Sequence, residues 1–121
     1  MTGRYHAYII DDDGDFKVRP AFAAVDRGEA KKETDVIRFG LRNLTSYTAT
    51  VSFPTGDPCT PAFRRAHPRG IQVPRGGAKV IEVRGDQSGL LRYDVTIVQA
   101  TPTRSAVKAR GESTPGMIID P

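Results

Sequence analysis

The feature that most constrains this chain is the period-two alternation of residues 47–53. Tyr47, Ala49, Val51 and Phe53 fall on one face, and Thr48, Thr50 and Ser52 on the other. Side chains along a strand point alternately to opposite faces, so this segment reads as a strand with one dry and one wet side. The same reading holds at residues 36–42, where Ile37, Phe39 and Leu41 share a face. It holds again at residues 90–98, where Leu91, Tyr93, Val95 and Ile97 form an inner face. No window of about 11 residues or more carries a helical stripe. Residues 26–34 (DRGEAKKET) have too few apolar positions for more than a turn of helix.

Turn residues punctuate these runs. Asp11-Asp12-Asp13-Gly14-Asp15, Asn43-Leu44-Thr45-Ser46, Pro74-Arg75-Gly76-Gly77 and Gly85-Asp86-Gln87-Ser88-Gly89 each supply the residues that tight turns demand. Further runs fall at residues 5–10, 22–25, 71–73, 78–84 and 117–119. The whole predicts an all-β Greek-key sandwich of seven to eight strands, built as one domain over residues 1–121. Two long loops are expected, at residues 54–70 and 99–115. The first run and the last are expected to be edge strands, which invites pairing with another copy.

Three stretches, taken in order, resemble the cupredoxin family. Residues 35–43 (DVIRFGLRN) are similar to its strand that ends in an asparagine turn. Residues 71–80 (IQVPRGGAKV) are similar to its V-P-x-G-G hairpin. Residues 89–95 (GLLRYDV) are similar to its G-x-Y strand, and Pro115-Gly116-Met117-Ile118-Ile119 fits its closing strand. The resemblance implies a cupredoxin-like scaffold, but the ligands that the family uses for copper are missing. A blue-copper site needs a thiolate and two imidazoles, usually with a weak thioether. No His follows the asparagine turn, Val95 stands where the cysteine would be, and residues 96–115 hold neither His nor Met. Met117 comes too late to serve. The expectation is a metal-free member with no cofactor.

Charge then directs attention to one region. The net charge is +4, yet residues 1–60 hold nine acids and eight bases, whereas residues 61–121 hold five acids and ten bases. Arg64, Arg65, His67 and Arg69 cluster in the 54–70 loop, and Arg75 follows in a hairpin turn. Guanidinium groups bind carboxylates and phosphates bidentately, and loops at the end of a sandwich are common recognition surfaces. These five residues are the candidate partner-binding site. A protein partner or a second copy is the first expectation. An anionic ligand, either nucleic acid or a phosphorylated molecule, is the second. Only Phe63 is near enough in sequence to stack on a base, which is sparse for a nucleic-acid module.

No catalytic residue is assigned, and the chain is expected not to be an enzyme. Cys59 and His67 share a loop, but no third group or oxyanion motif accompanies them. The aspartate run at 11–15 lacks the spacing and the bidentate Glu of a calcium loop, and so reads as a solvated turn. His6 lies inside an apolar run and reads as a packed residue. A single cysteine excludes an internal disulfide. No stretch approaches the roughly 20 apolar residues of a membrane span. A cytoplasmic, bacterial protein without membrane contact is the resulting expectation.

Overall fold

The computed structural model describes residues 5–98, 106–109 and 115–119. It begins with a hairpin of β1 (Ala7–Asp12) and β2 (Asp15–Arg19). Asp13 and Gly14 form the turn with φ of 56° and 90°. Two positive φ values suit the right-handed twist of the flanking strands, which is why Asp-Gly is favoured here. Asp11 Oδ1 accepts the Gly14 N–H at 2.7 Å, and Lys17 Nζ reaches Asp12 Oδ2 at 2.9 Å. The aspartates therefore cap and solvate a turn, as expected of them.

The next strands are β3 (Phe22–Val25), β4 (Val36–Asn43) and β5 (Ala49–Ser52). A short helix, α1 (Pro61–Ala66), precedes β6 (Ile71–Val73) and β7 (Ala78–Arg84). The chain then forms β8 (Gly89–Arg92), β9 (Asp94–Val98), β10 (Ala106–Ala109) and β11 (Gly116–Ile119). Three sheets result, with strand orders β2-β1-β4-β7, β10-β9-β5-β6 and β3-β11-β8. The pairings β1–β4 and β3–β11 are parallel; the others are antiparallel. The fold is mostly β and sandwich-like. Inner faces of all three sheets meet in one apolar cluster that includes Ile9, Phe39, Ile81, Tyr93, Ile97 and Met117. Among the described residues no helix is long and apolar enough to cross a membrane.

Several expectations need correction. Eleven strands are described where seven or eight were expected. One reason is Tyr93: residues 90–98 are two strands in two different sheets, broken where the Tyr93 N–H donates to Pro115 O at 3.0 Å. The inward alternation survives the break, so the sequence pattern carries no mark of it. The 54–70 segment contains a helix, and the 99–115 segment contains β10, which pairs with β9. The rest of that second segment, except Pro115, lies outside the described residues. The stretch 26–34 forms turns without a helix. Its end is held by Asp35 Oδ2, which accepts the Lys31 and Lys32 N–H groups at 2.9 Å each.

The two strands expected at edges are interior. β1 lies between β2 and β4, and β11 between β3 and β8. Each acquires its second neighbour through a parallel partner distant in sequence, which the local pattern does not reveal. β7 is the last strand of its sheet, but residues 58–60 lie along it. Arg84 N–H donates to Pro58 O and Thr60 N–H to Glu82 O, both at 3.0 Å.

Candidate functional site

The basic cluster is built by the segment that follows β5. Asp57 Oδ1 accepts the Cys59 N–H at 2.8 Å, an Asx-type turn that delivers the chain onto the flank of β7. Thr60 then caps α1: its Oγ1 accepts the Phe63 N–H at 3.1 Å. Pro61 occupies the first helical position, where its missing N–H costs nothing. Phe63 anchors the helix in the core, so Arg64 and Arg65 remain exposed. His67 terminates the helix, with its ring stacked on Phe63 at 4.1 Å between centroids.

His67 is held at both ring nitrogens. Nδ1 lies 2.9 Å from Phe63 O. A carbonyl can only accept, so Nδ1 carries the proton and Nε2 presents a lone pair. Lys79 Nζ donates to that lone pair from 3.3 Å. Lys79 lies on β7, which the Pro74–Gly77 turn carries from the sheet of β6 into the other sheet, where it pairs with β4; the Gly77 N–H donates to Pro74 O at 2.9 Å. Arg75 is exposed on that same turn.

A groove of about 590 Å³ runs across this end of the molecule. His67, Arg69 and Lys79 supply its charged and titratable groups, and no acid lines it. Thr48 and Gln72 supply neutral polar groups from β5's approach and from β6. A second, smaller cavity of about 210 Å³ lies beneath α1, where β5 ends and β6 begins. Val51, Phe53, Phe63 and Ile71 give it apolar walls, and Ser52, Asp57, Arg64 and His67 line it with polar groups. Arg64 Nε is 4.0 Å from Asp57 Oδ2, the limit of an ion pair. His67 and Gly70 line both spaces, so the groove and the cavity adjoin.

Of the expected site residues, the structure brings His67 and Arg69 together in the groove and sets Arg64 at the neighbouring cavity. Arg65 and Arg75 line neither and flank them on exposed backbone. Among the described residues neither Arg65, Arg69 nor Arg75 makes an ion pair. Lys79 was missed. The turn signal at Pro74-Arg75-Gly76-Gly77 keeps Lys79 near β6 in space, but the hairpin expected there does not form, because β6 and β7 belong to different sheets.

Cys59 also lines the smaller cavity, but no hydrogen bond joins its thiol to His67. Burial raises the thiol's pKa far above its ordinary value, with the Asp57 carboxylate adding to the effect. Both His67 nitrogens are engaged elsewhere. His6 is a packed residue: its Nδ1 accepts the Gly40 N–H at 2.9 Å, its ring stacks on Phe39, and burial lowers its pKa.

The region where the family resemblance would put copper does not fit that ion. Val95 and Met117 are fully buried in the core, and Thr45 is buried in a hydrogen-bonded turn with Asn43. Among the described residues no three His, Cys, Asp or Glu side chains cluster as metal ligands would. No protein-family model matches the sequence, and no curated protein matches it significantly.

Proposed function

We propose that this chain is a non-enzymatic, metal-free interaction module of cupredoxin-like layout that acts in the cytoplasm. It engages an acidic surface on a protein partner through the arginine-bearing end of the sandwich. The observation that carries the reading is the groove of about 590 Å³ with Arg69, Lys79 and His67 on its walls and no acid among them. Arg64, Arg65 and Arg75 stand exposed around it. A concave, single-sign surface attracts an oppositely charged partner and speeds its approach. The Cys59 thiol is buried and its pKa raised, which suits a role without covalent chemistry.

Protein is favoured over single-stranded nucleic acid at this surface. Phe63, the ring carried by α1, is buried and already stacked on His67, so it does not offer a face to a base. Self-association through β1 or β11 loses its basis, because both strands have neighbours on each side.

The test is charge reversal. The triple variant Arg64→Glu, Arg65→Glu, Arg69→Glu should lose the partners that the wild-type chain captures from its native cell. Retention of every partner at wild-type yield would refute the reading. A heparin column and a single-stranded oligonucleotide at low salt serve as controls. Salt-sensitive binding to the oligonucleotide that exceeds binding to acidic peptides would favour nucleic acid instead.

A further inference from the structure

We propose that the cavity beneath α1 is the anchor pocket of this surface, taking one apolar side chain of the partner that is flanked by a carboxylate. The inference rests on the reading above, that an acidic protein meets the arginine-bearing end, and it names the element that is recognised.

Size is the first argument. At roughly 30 Å³ per water, about 210 Å³ corresponds to about seven waters. That space suits one aliphatic or aromatic side chain up to about the size of phenylalanine. Wall chemistry is the second. Phe53, Phe63, Val51 and Ile71 offer carbon surface on one side, and Ser52, Asp57, Arg64 and His67 supply polar groups around it, a mix that suits an apolar side chain with a polar neighbour.

Charge complementarity is the third argument. Arg64 stands at the cavity with its one acidic neighbour, Asp57, at 4.0 Å. That pair is at the limit of contact, and both side chains are roughly half exposed, so it is weak and easily exchanged. A guanidinium in this state accepts a bidentate carboxylate from a partner in its place. His67 and Gly70 connect the cavity to the groove, so a side chain seated here leads its neighbours along Arg69 and Lys79. An apolar anchor in a pocket surrounded by a charged rim is the usual arrangement of an interface hot spot.

The experiment uses two short capped peptides rich in glutamate, one with a central phenylalanine and one with glycine in its place. Binding to the full chain is followed by amide chemical shifts and by titration calorimetry. The phenylalanine peptide is expected to bind roughly tenfold or more tightly than its counterpart. Its largest shifts should fall at Phe53, Gly70 and Ile71. Phe53→Ala strips a half-buried apolar wall from the cavity. It should abolish the tenfold preference while leaving the weaker glycine peptide bound.

Equal binding of the two peptides, with both lost in the arginine-to-glutamate variant, would overturn the anchor pocket and leave the acidic-partner reading standing. Absence of binding by either peptide, with the wild-type chain and the charge-reversed variant indistinguishable, would overturn both. A preference that survives Phe53→Ala in a folded variant would also overturn the pocket. Should that variant not fold, the position of the shifts in the wild-type chain decides: shifts confined to residues away from the cavity refute the proposal.

Discussion

Replacing Asn43 with alanine should be among the most damaging single changes in this molecule, and its cost follows from the structure. Asn43 is fully buried at the end of β4. Its Nδ2 donates to Tyr47 O at 2.7 Å and to Val73 O at 3.1 Å. Its Oδ1 accepts from Thr45 N at 2.9 Å and from Thr45 Oγ1 at 2.7 Å. Alanine removes all four bonds. Tyr47 O can be recovered, because Thr45 Oγ1 already stands 3.0 Å from it. Val73 O and the Thr45 N–H are left in buried surroundings without that partner. At about 1 kcal/mol for each bond, and more for a buried group left unsatisfied, the loss is about 3–4 kcal/mol. For a domain of this size, the melting temperature should fall by about 10–15 °C. Thermal melts by circular dichroism, with urea unfolding as a second measure, test this. A loss below about 1 kcal/mol would refute the reasoning, since it would mean that water replaces the amide at no cost. The same bonds tie β4 of one sheet to β6 of another, beside Gln72 and Pro74 of the groove. Weakened binding of acidic peptides at temperatures where the variant is still folded is therefore expected too.

Three other outcomes follow from single groups. Cys59 should resist a thiol reagent such as a disulfide dye in the native state at pH 8 and react once the chain is unfolded in urea; rapid native reaction would show that the thiol is open. Because burial lowers the His6 pKa, the unfolded chain binds more protons than the folded one around pH 6.5 and just below, so stability should rise with pH through that range. His6→Asn retains an oxygen for the Gly40 N–H, and melts at pH 5.5 and 7.5 should differ less in that variant than in the wild type. Gly85→Ala places a Cβ at 2.6 Å from Lys32 O, 2.7 Å from Asp35 Cβ and 3.1 Å from Ala30 Cβ. Since the closest of these is backbone, the 26–35 loop must shift, and a loss of about 1–3 kcal/mol in urea unfolding is expected.

The candidate site was legible only in part. Arg64, Arg65, His67, Arg69 and Arg75 are conspicuous in the sequence because bases crowd a short span. That Arg64 belongs to a different cavity from Arg69 depends on α1, a helix of 6 residues too short to leave a periodic signature. Its Thr60-Pro61 start is a local signal that the proline-rich surroundings obscured. Lys79 reached the site through strand pairing, and its role depends on His67 adopting the Nδ1–H form, which Phe63 O imposes.

Alternation and turn chemistry are local, so the sequence by itself determined the β class, the turn at Asp11–Asp15 and the inward faces of β4, β5 and β9. Those choices involve neighbours a few residues apart, whose sterics and burial are written in residue order. Strand partnership is not local. The placement of β1 between β2 and β4, the transfer of the chain between sheets at Tyr93, and the meeting of Arg69 with Lys79 in one groove were decided by which surfaces could bury one another. A strand with one apolar face fits several neighbours equally well until the remaining sheets close the core around it.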